Sequence, residues 1–413
     1  MTENAGQTSI TNDADAAETT PLEQTRRRYT DVMMGSAPPP LRKLVRGEGC
    51  HVWDADGNRY LDFLSGIAVN ALGHAHPVLV EAISKQAAAV AHISNYFASE
   101  PQLALAERLQ RLTGAGAQGR VYFGNSGAEA NEAAIKLARR HRPEGTLVAL
   151  HNGFHGRTVG ALSITGKPML REPFEPLLPG VEHIEPTVMA LESAFDAKQP
   201  VSAVFLEPIQ GEAGVVPLSD EFVQAARRLT TEHGALLIVD EIQTGAGRTG
   251  DWFAYQHHGI VPDVVTLAKG IGGGVPIGAM VTFGEASELF KVGQHGSTFG
   301  GNPLATAVGD AVLAEIERAG LVENARRRGE QLREAVLGIQ HPMVSEVRGR
   351  GLLLGVALAA PHATAVANRA LELGLIVNAA NDTSVRLAPP LIVGDAELEE
   401  FTRLFTRALE AAA

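Results

Sequence analysis

From about residue 77 the chain alternates helical stretches with short, unbroken apolar runs, and no other feature constrains its fold as tightly. The runs are VYF (121–123), LVAL (147–150), AVFL (203–206), LLIVD (236–240), VVTL (264–267) and AMVTF (279–283). A strand with one wet face alternates apolar and polar residues, whereas a strand covered on both faces stays apolar. Between the runs lie stretches of helical periodicity such as PVLVEAISKQAAAVAHI and PQLALAERLQRL. The alternation predicts βαβ units and therefore an α/β body whose mostly parallel central sheet lies between helices.

The flanks read differently. Residues 1–27 are polar without apolar periodicity, the composition of a disordered tail. In HVWDADGNRYLDF, alternation around Asp56 and Gly57 predicts a hairpin, so 28–75 is expected to be the N-terminal segment of a smaller domain. Residues 76–303 are then the large domain. Beyond Pro303, two helices, the strand RGLLLGVAL, a further helix, the strand LIVNAAN and a last helix from Asp395 make 304–413 the α+β remainder of the smaller domain.

Composition narrows the function. Thirty-five Lys and Arg against 47 Asp and Glu give a net charge of -12, which repels a phosphate backbone, so nucleic acid is not an expected partner. Cys50 is the single cysteine, the chain opens on polar residues, and no apolar run approaches the roughly 18 residues of a membrane span. A cytoplasmic enzyme without membrane contact is the expectation.

In such sheets ligands collect at the C-terminal ends of strands. After VYF come Asn125, Ser126, Gly127 and Ala128 at the start of a strong helix, where free N–H groups and the helix dipole favour a phosphate; the same residues also suit a simple N-cap. Asp240 ends one apolar run, and Lys269 follows another by two residues. A lysine there is costly unless it has a partner or a covalent role. A Schiff base with pyridoxal phosphate supplies that role, and Asp240 is then the acid that keeps the cofactor's ring nitrogen protonated. A buried Asp–Lys ion pair is the alternative. GAGRTG (245–250) matches the dinucleotide fingerprint and keeps an NAD(P)-dependent oxidoreductase in play, but the stretch after Gly250 does not read as the long helix that fingerprint requires. Gly166-Lys167 fails as a Walker loop because Pro168 follows. The histidine pairs lack metal-ligand spacing, so no metal is expected.

The stretches NSGAEANEAAIKLAR (125–139), FHGRT (154–158), EPIQGE (207–212), DEIQTG (240–245) and VRLAPP (385–390) resemble the class III pyridoxal-phosphate-dependent aminotransferases, in order and spacing, from about residue 29 to the C-terminus. GIAVNALGHAHP (66–77) and REPFEPL (171–177) narrow the resemblance to the branch acting on N-acetylornithine. It implies the fold type I architecture and a homodimer with shared active sites. Family roles then make Lys269 the Schiff-base lysine, Asp240 the ring-nitrogen partner, Gln243 a hydrogen-bonder near the ring hydroxyl and Phe154 the stacking ring. Ser126, Gly127 and Ala128 hold the phosphate, and Thr298 reaches the phosphate of the neighbouring subunit. Arg157, Glu212, Ser297 and Arg386 face the substrates. Arg157 holds the α-carboxylate of N-acetylornithine while Glu212 covers Arg386; with 2-oxoglutarate bound, Glu212 swings away and frees Arg386. Ala37 stands where the family usually carries a tyrosine, which weakens free ornithine as donor. Succinylornithine, succinyldiaminopimelate and 4-aminobutyrate remain alternative donors.

Overall fold

The computed structural model describes residues 20–412. Most of the tail expected over 1–27 lies outside them, but Pro21–Val32 is a helix, capped by Thr20, whose hydroxyl accepts from the Glu23 amide while the Glu23 carboxylate accepts from the Thr20 amide. That reciprocal cap overrides the polar composition, which carried the disorder reading. The described residues up to Arg46, with Trp53–Arg59, form one compact unit; Gly47–Val52 and Tyr60–Ala413 form the second. In the first, the Arg46 guanidinium lies 4.3 Å over the Trp53 ring, and Asp54 closes the expected turn by accepting from the amides of Asp56 and Asn58.

The second unit is built on a seven-stranded sheet. In spatial order its strands are Arg120–Gly124, Gly278–Thr282, Val264–Leu267, Leu236–Asp240, Val201–Leu206, Thr146–Leu150 and Val181–Ile184. Gly278–Thr282 runs antiparallel to both neighbours, and the five strands on its other side are parallel. Both faces are buried: Leu147, Ala149, Ala203, Phe205, Ile238 and Val264 pack with the helix Gly127–His141, while Val148, Leu150, Val204, Leu206, Val239 and Val265 join the core on the opposite face. Two-sided burial is why these strands read as continuous apolar runs. The edge strand Val181–Ile184 is only partly buried and gave no such run.

The helix Gly127–His141 begins at Ser126, whose hydroxyl accepts from the Glu129 amide, and ends in Arg139, Arg140 and His141, which suit its dipole. Its buried side is largely alanine, so it lies close on the sheet. Toward the C-terminus, Val344–Arg350, Leu353–Leu358, Ser384–Leu387 and Asn378–Asn381 form an antiparallel sheet in that order, accompanied by the helices Leu321–Gly338, Ala363–Glu372 and Asp395–Ala412. The unit runs continuously across the boundary expected at residue 303, because the helix Pro303–Arg318 packs on the helices Pro77–Ala89 and Glu100–Thr113.

One close approach sets the geometry at the sheet's end. Gly278 stands opposite Gly124, and a Cβ on it would lie 2.1 Å from the Ser126 carbonyl oxygen. Any side chain there must displace the residues that open the helix Gly127–His141. Gly278→Ala should therefore cost about 1–3 kcal/mol of stability, read as the denaturant midpoint; an unchanged midpoint would contradict this packing.

Candidate active site

The parallel strands end on a common side, and the residues that follow them converge. Asp240 is the last residue of its strand, Glu207 follows Val201–Leu206, Asn125 follows Arg120–Gly124, and Lys269 lies two residues beyond Val264–Leu267. A cavity of about 420 Å³ opens there. Ser126, Gly127, Ala128, Phe154, Arg157, Glu212, Asp240, Gln243 and Lys269 all line it. Ile209, Ile242, Val275 and Ile277 supply apolar wall.

Asp240 is buried and held by three neighbours. Its Oδ2 accepts from Asn131 Nδ2 at 2.8 Å and sits 2.7 Å from His155 Nδ1, and its Oδ1 accepts from the Ile242 amide at 3.0 Å. Burial opposes a charge on His155, yet the hydrogen bond and charge of Asp240, with Glu207 beyond, hold the imidazole above its ordinary pKa. Glu207 receives the Phe154 amide at 2.6 Å, and burial together with the like charge of Asp240 pushes its carboxyl upward. Asn131, His155 and Glu207 were not singled out by sequence. The available signal was local: Asn131 is one helical turn from Gly127, and His155 and Glu207 lie inside motifs whose neighbouring residues drew attention.

Lys269 has φ +47, a left-handed conformation that a lysine adopts only when its surroundings impose it, and such strain clusters at functional sites. Its amine makes no hydrogen bond among the described residues. Burial and the Arg386 cation hold its pKa below the ordinary lysine value, against the pull of Glu212, Asp240 and Glu207. A larger share of the amine is therefore neutral, the form that attacks a carbonyl.

Arg386 is almost wholly buried, on a strand where it pairs with Gly355 and Asn378. Its Nη1 donates to Glu212 Oε1 at 2.5 Å and to Gln243 Oε1 at 3.2 Å, and its Nε donates to Asn378 Oδ1 at 3.1 Å. Burial would raise the Glu212 pKa, but Arg386, Lys269 and Lys167 outweigh it and hold the carboxyl below its usual range. Arg157 is exposed at the mouth, its guanidinium 5.6 Å from the Phe154 ring centre. Ser297 accepts from Asn125 Nδ2 at 3.0 Å but does not line the cavity, and Thr298 is exposed outside it. The GAGRTG segment forms turns; the helix after Gly250 is only Ala254–His257, and Arg248 is buried with Nη1 donating to the carbonyls of Leu352 and Pro389. It has no helix N-terminus of the kind that holds a dinucleotide pyrophosphate.

The residues fit a flat, phosphorylated, aldehyde-bearing aromatic. The cavity offers an uncommitted amine, a buried carboxylate oriented by three donors, an aromatic side chain and the start of a 15-residue helix. His155 Nε2 is buried with no hydrogen-bond partner among the described residues.

The family model for class III aminotransferases matches residues 33–409. An acetylornithine aminotransferase of Bifidobacterium longum is 51% identical over 398 residues, covering 90% of this chain and 92% of its own. That of Streptomyces coelicolor is 50% identical over 396 residues, covering 95% and 96%. Among solved structures, the N-acetylornithine aminotransferase of Stenotrophomonas maltophilia superposes with a TM-score of 0.80 at 38% identity, covering 90% and 96%. The ornithine aminotransferase of Toxoplasma gondii does so with 0.90 at 32%, covering 95% and 96%. With such a match along nearly its whole length, the chain belongs to the class III aminotransferases.

Proposed function

We propose that this chain transfers the terminal amino group of N2-acetyl-L-ornithine to 2-oxoglutarate, giving N-acetyl-L-glutamate 5-semialdehyde and L-glutamate, with pyridoxal 5'-phosphate as cofactor. The observation that carries the reading is a pair of arginines at the cavity: Arg157 lines its mouth, and Arg386 is buried behind the wall, bonded to Glu212 and Gln243, which line it. A planar guanidinium holds a carboxylate through two parallel bonds, so two of them suit an enzyme that handles monocarboxylate and dicarboxylate substrates in turn. Half-identical relatives carrying the acetylornithine name support the choice of donor.

When bound, the cofactor supplies an electron-withdrawing ring that stores the electron pair left as the substrate's amine-bearing carbon loses a proton. Ser126, Gly127 and Ala128 would hold its phosphate, Phe154 and Gln243 would hold its ring, and Asp240 would keep a proton on the ring nitrogen. Lys269 would anchor the cofactor, and its amine, when free, would serve as the base and acid that moves the proton of the substrate's amine-bearing carbon. Asn131 and His155 orient Asp240. With the donor bound, Arg157 holds its carboxylate and Glu212 neutralises Arg386; with glutamate or 2-oxoglutarate bound, Glu212 withdraws and Arg386 takes the α-carboxylate.

The same reading makes residues 76–303 the cofactor-binding part and 28–75 with 304–413 the smaller one, in a cytoplasmic homodimer. A second copy would cover Tyr96, Phe97 and Phe299, apolar side chains exposed by 93%, 67% and 59%. Their segments are joined by the bond from Asn95 Nδ2 to the Ser297 carbonyl, and an apolar patch of this kind marks an interface. Thr298, exposed beside them, then serves the neighbouring subunit's phosphate. No helix among the described residues is long and apolar enough to cross a membrane.

Steady-state rates with 2-oxoglutarate and a panel of donors test the function. N-acetylornithine should have the highest kcat/KM, above ornithine, succinylornithine, succinyldiaminopimelate and 4-aminobutyrate; a higher value for another donor would reassign the substrate. The switch is tested separately by Glu212→Ala. Permanent exposure of Arg386 should raise the single-turnover rate with glutamate relative to acetylornithine by about tenfold, the scale of one charge-assisted hydrogen bond. An unchanged ratio would leave Glu212 a structural partner of the arginine.

A further inference from the structure

Lys167 belongs to the failed Walker look-alike and does not line the cavity, yet the folded chain brings it to the switch. Its backbone is pinned: the neighbouring Gly166 donates to the Gly153 carbonyl and accepts from the Asn152 amide, just beyond the strand Thr146–Leu150, and Lys167 is extended as a residue before proline must be. Its side chain is half-buried, and Nζ donates to the backbone carbonyl of Glu212 at 2.6 Å. An ammonium has three donors, and the other two make no hydrogen bond among the described residues.

The backbone around Glu212 is held on successive residues. The Ala213 carbonyl accepts from Asn381 Nδ2 at 2.8 Å and the Gly214 carbonyl from Arg348 Nε at 2.9 Å. Gly214 has φ +103, and a Cβ on it would meet Ser384, Asn381 and Arg348 within 2.8 Å. Three carbonyls in a row are thus tied to three separate parts of the chain, and the strands Ile209–Gln210 and Val216–Pro217 close the loop behind them. The Glu212 carboxylate can leave Arg386 only by rotation of its own side chain about a fixed Cα. A carboxylate displaced within a partly buried pocket needs a new counter-charge or full access to water. The cations that act most strongly on it are Arg386, Lys269 and Lys167; Arg386 is then occupied by substrate and Lys269 is engaged in the chemistry.

Resting on the two-state role proposed for Glu212, we propose that Lys167 is a positioning residue that receives the Glu212 carboxylate when a dicarboxylate substrate occupies Arg386. Two of its N–H groups make no hydrogen bond among the described residues while the third is bound to the Glu212 carbonyl, so cover and release become an exchange between two cations. Lys167 thereby favours the glutamate and 2-oxoglutarate half-reaction without touching either substrate.

The test is the ratio of single-turnover rates of the holoenzyme with glutamate and with acetylornithine. Lys167→Met should lower that ratio about tenfold, with the acetylornithine rate falling far less, and Lys167→Arg should restore it. In a Glu212→Ala background, Lys167→Met should leave the ratio where Glu212→Ala alone sets it, since no carboxylate remains to be received. A wild-type ratio in Lys167→Met, or equal loss of both half-reactions, would overturn the proposal and reduce Lys167 to an anchor of the loop. Should Glu212→Ala alone leave the ratio unchanged, the switch itself has failed, and the receiving role of Lys167 falls with it.

Discussion

Asp240 is a carboxylate withdrawn from water at the end of a central strand, and the cavity is arranged around the hydrogen bonds that hold it there. An unpaired buried carboxylate costs several kcal/mol and protonates instead. Here three groups partner it: Asn131 from the helix Gly127–His141, His155 from the segment after Thr146–Leu150, and the amide of Ile242. Hydrogen bonds to a charged group are each worth roughly 1.5–3 kcal/mol. The bonds also fix geometry, because Asn131 donates at the same time to the His155 carbonyl, tying the helix, the strand end and the Phe154 segment into one frame. The start of the helix Gly127–His141, the Phe154 segment and the acid are therefore registered to one another.

The remaining charges form a second layer around this centre. Lys269 is held below the ordinary lysine pKa by burial and by Arg386, while Glu212 is held below the ordinary carboxyl range despite burial, because Arg386, Lys269 and Lys167 oppose it. Glu212 consequently keeps its charge, and with it the ion pair to Arg386, to a lower pH than an ordinary glutamate would. Lys167 is itself pushed down by burial, and the charges of Arg386 and Arg157 add to that push. Each cation lowers the cost of the neighbouring carboxylate, so a single substitution acts on the whole set.

Much of this was legible in the sequence, for identifiable reasons. Strands buried on both faces leave unbroken apolar runs, and helices that follow them leave caps such as Ser126, so the α/β body and the positions of Asp240 and Lys269 could be read directly. The half-exposed edge strand Val181–Ile184 left no such mark, and the helix at Pro21 was masked by its polar surface. Arg157, Glu212 and Arg386 came only through family likeness, since a lone arginine or glutamate carries no periodic signal. His155, Asn131, Glu207 and Lys167 escaped because their roles arise from contacts between residues 24 to 109 apart in the chain.

The central claim is that Asp240 serves the reaction as a charge and not as a shape. Asp240→Asn keeps the shape and removes the charge, so the direct measurement is the single-turnover rate with acetylornithine beside the cofactor content of the same preparation. We expect the rate to fall at least about 100-fold, the scale seen when a preorganised electrostatic partner is removed, with cofactor content reduced only modestly. A rate near that of the wild type at equal cofactor content would contradict the account and move the role of the acid to another carboxylate.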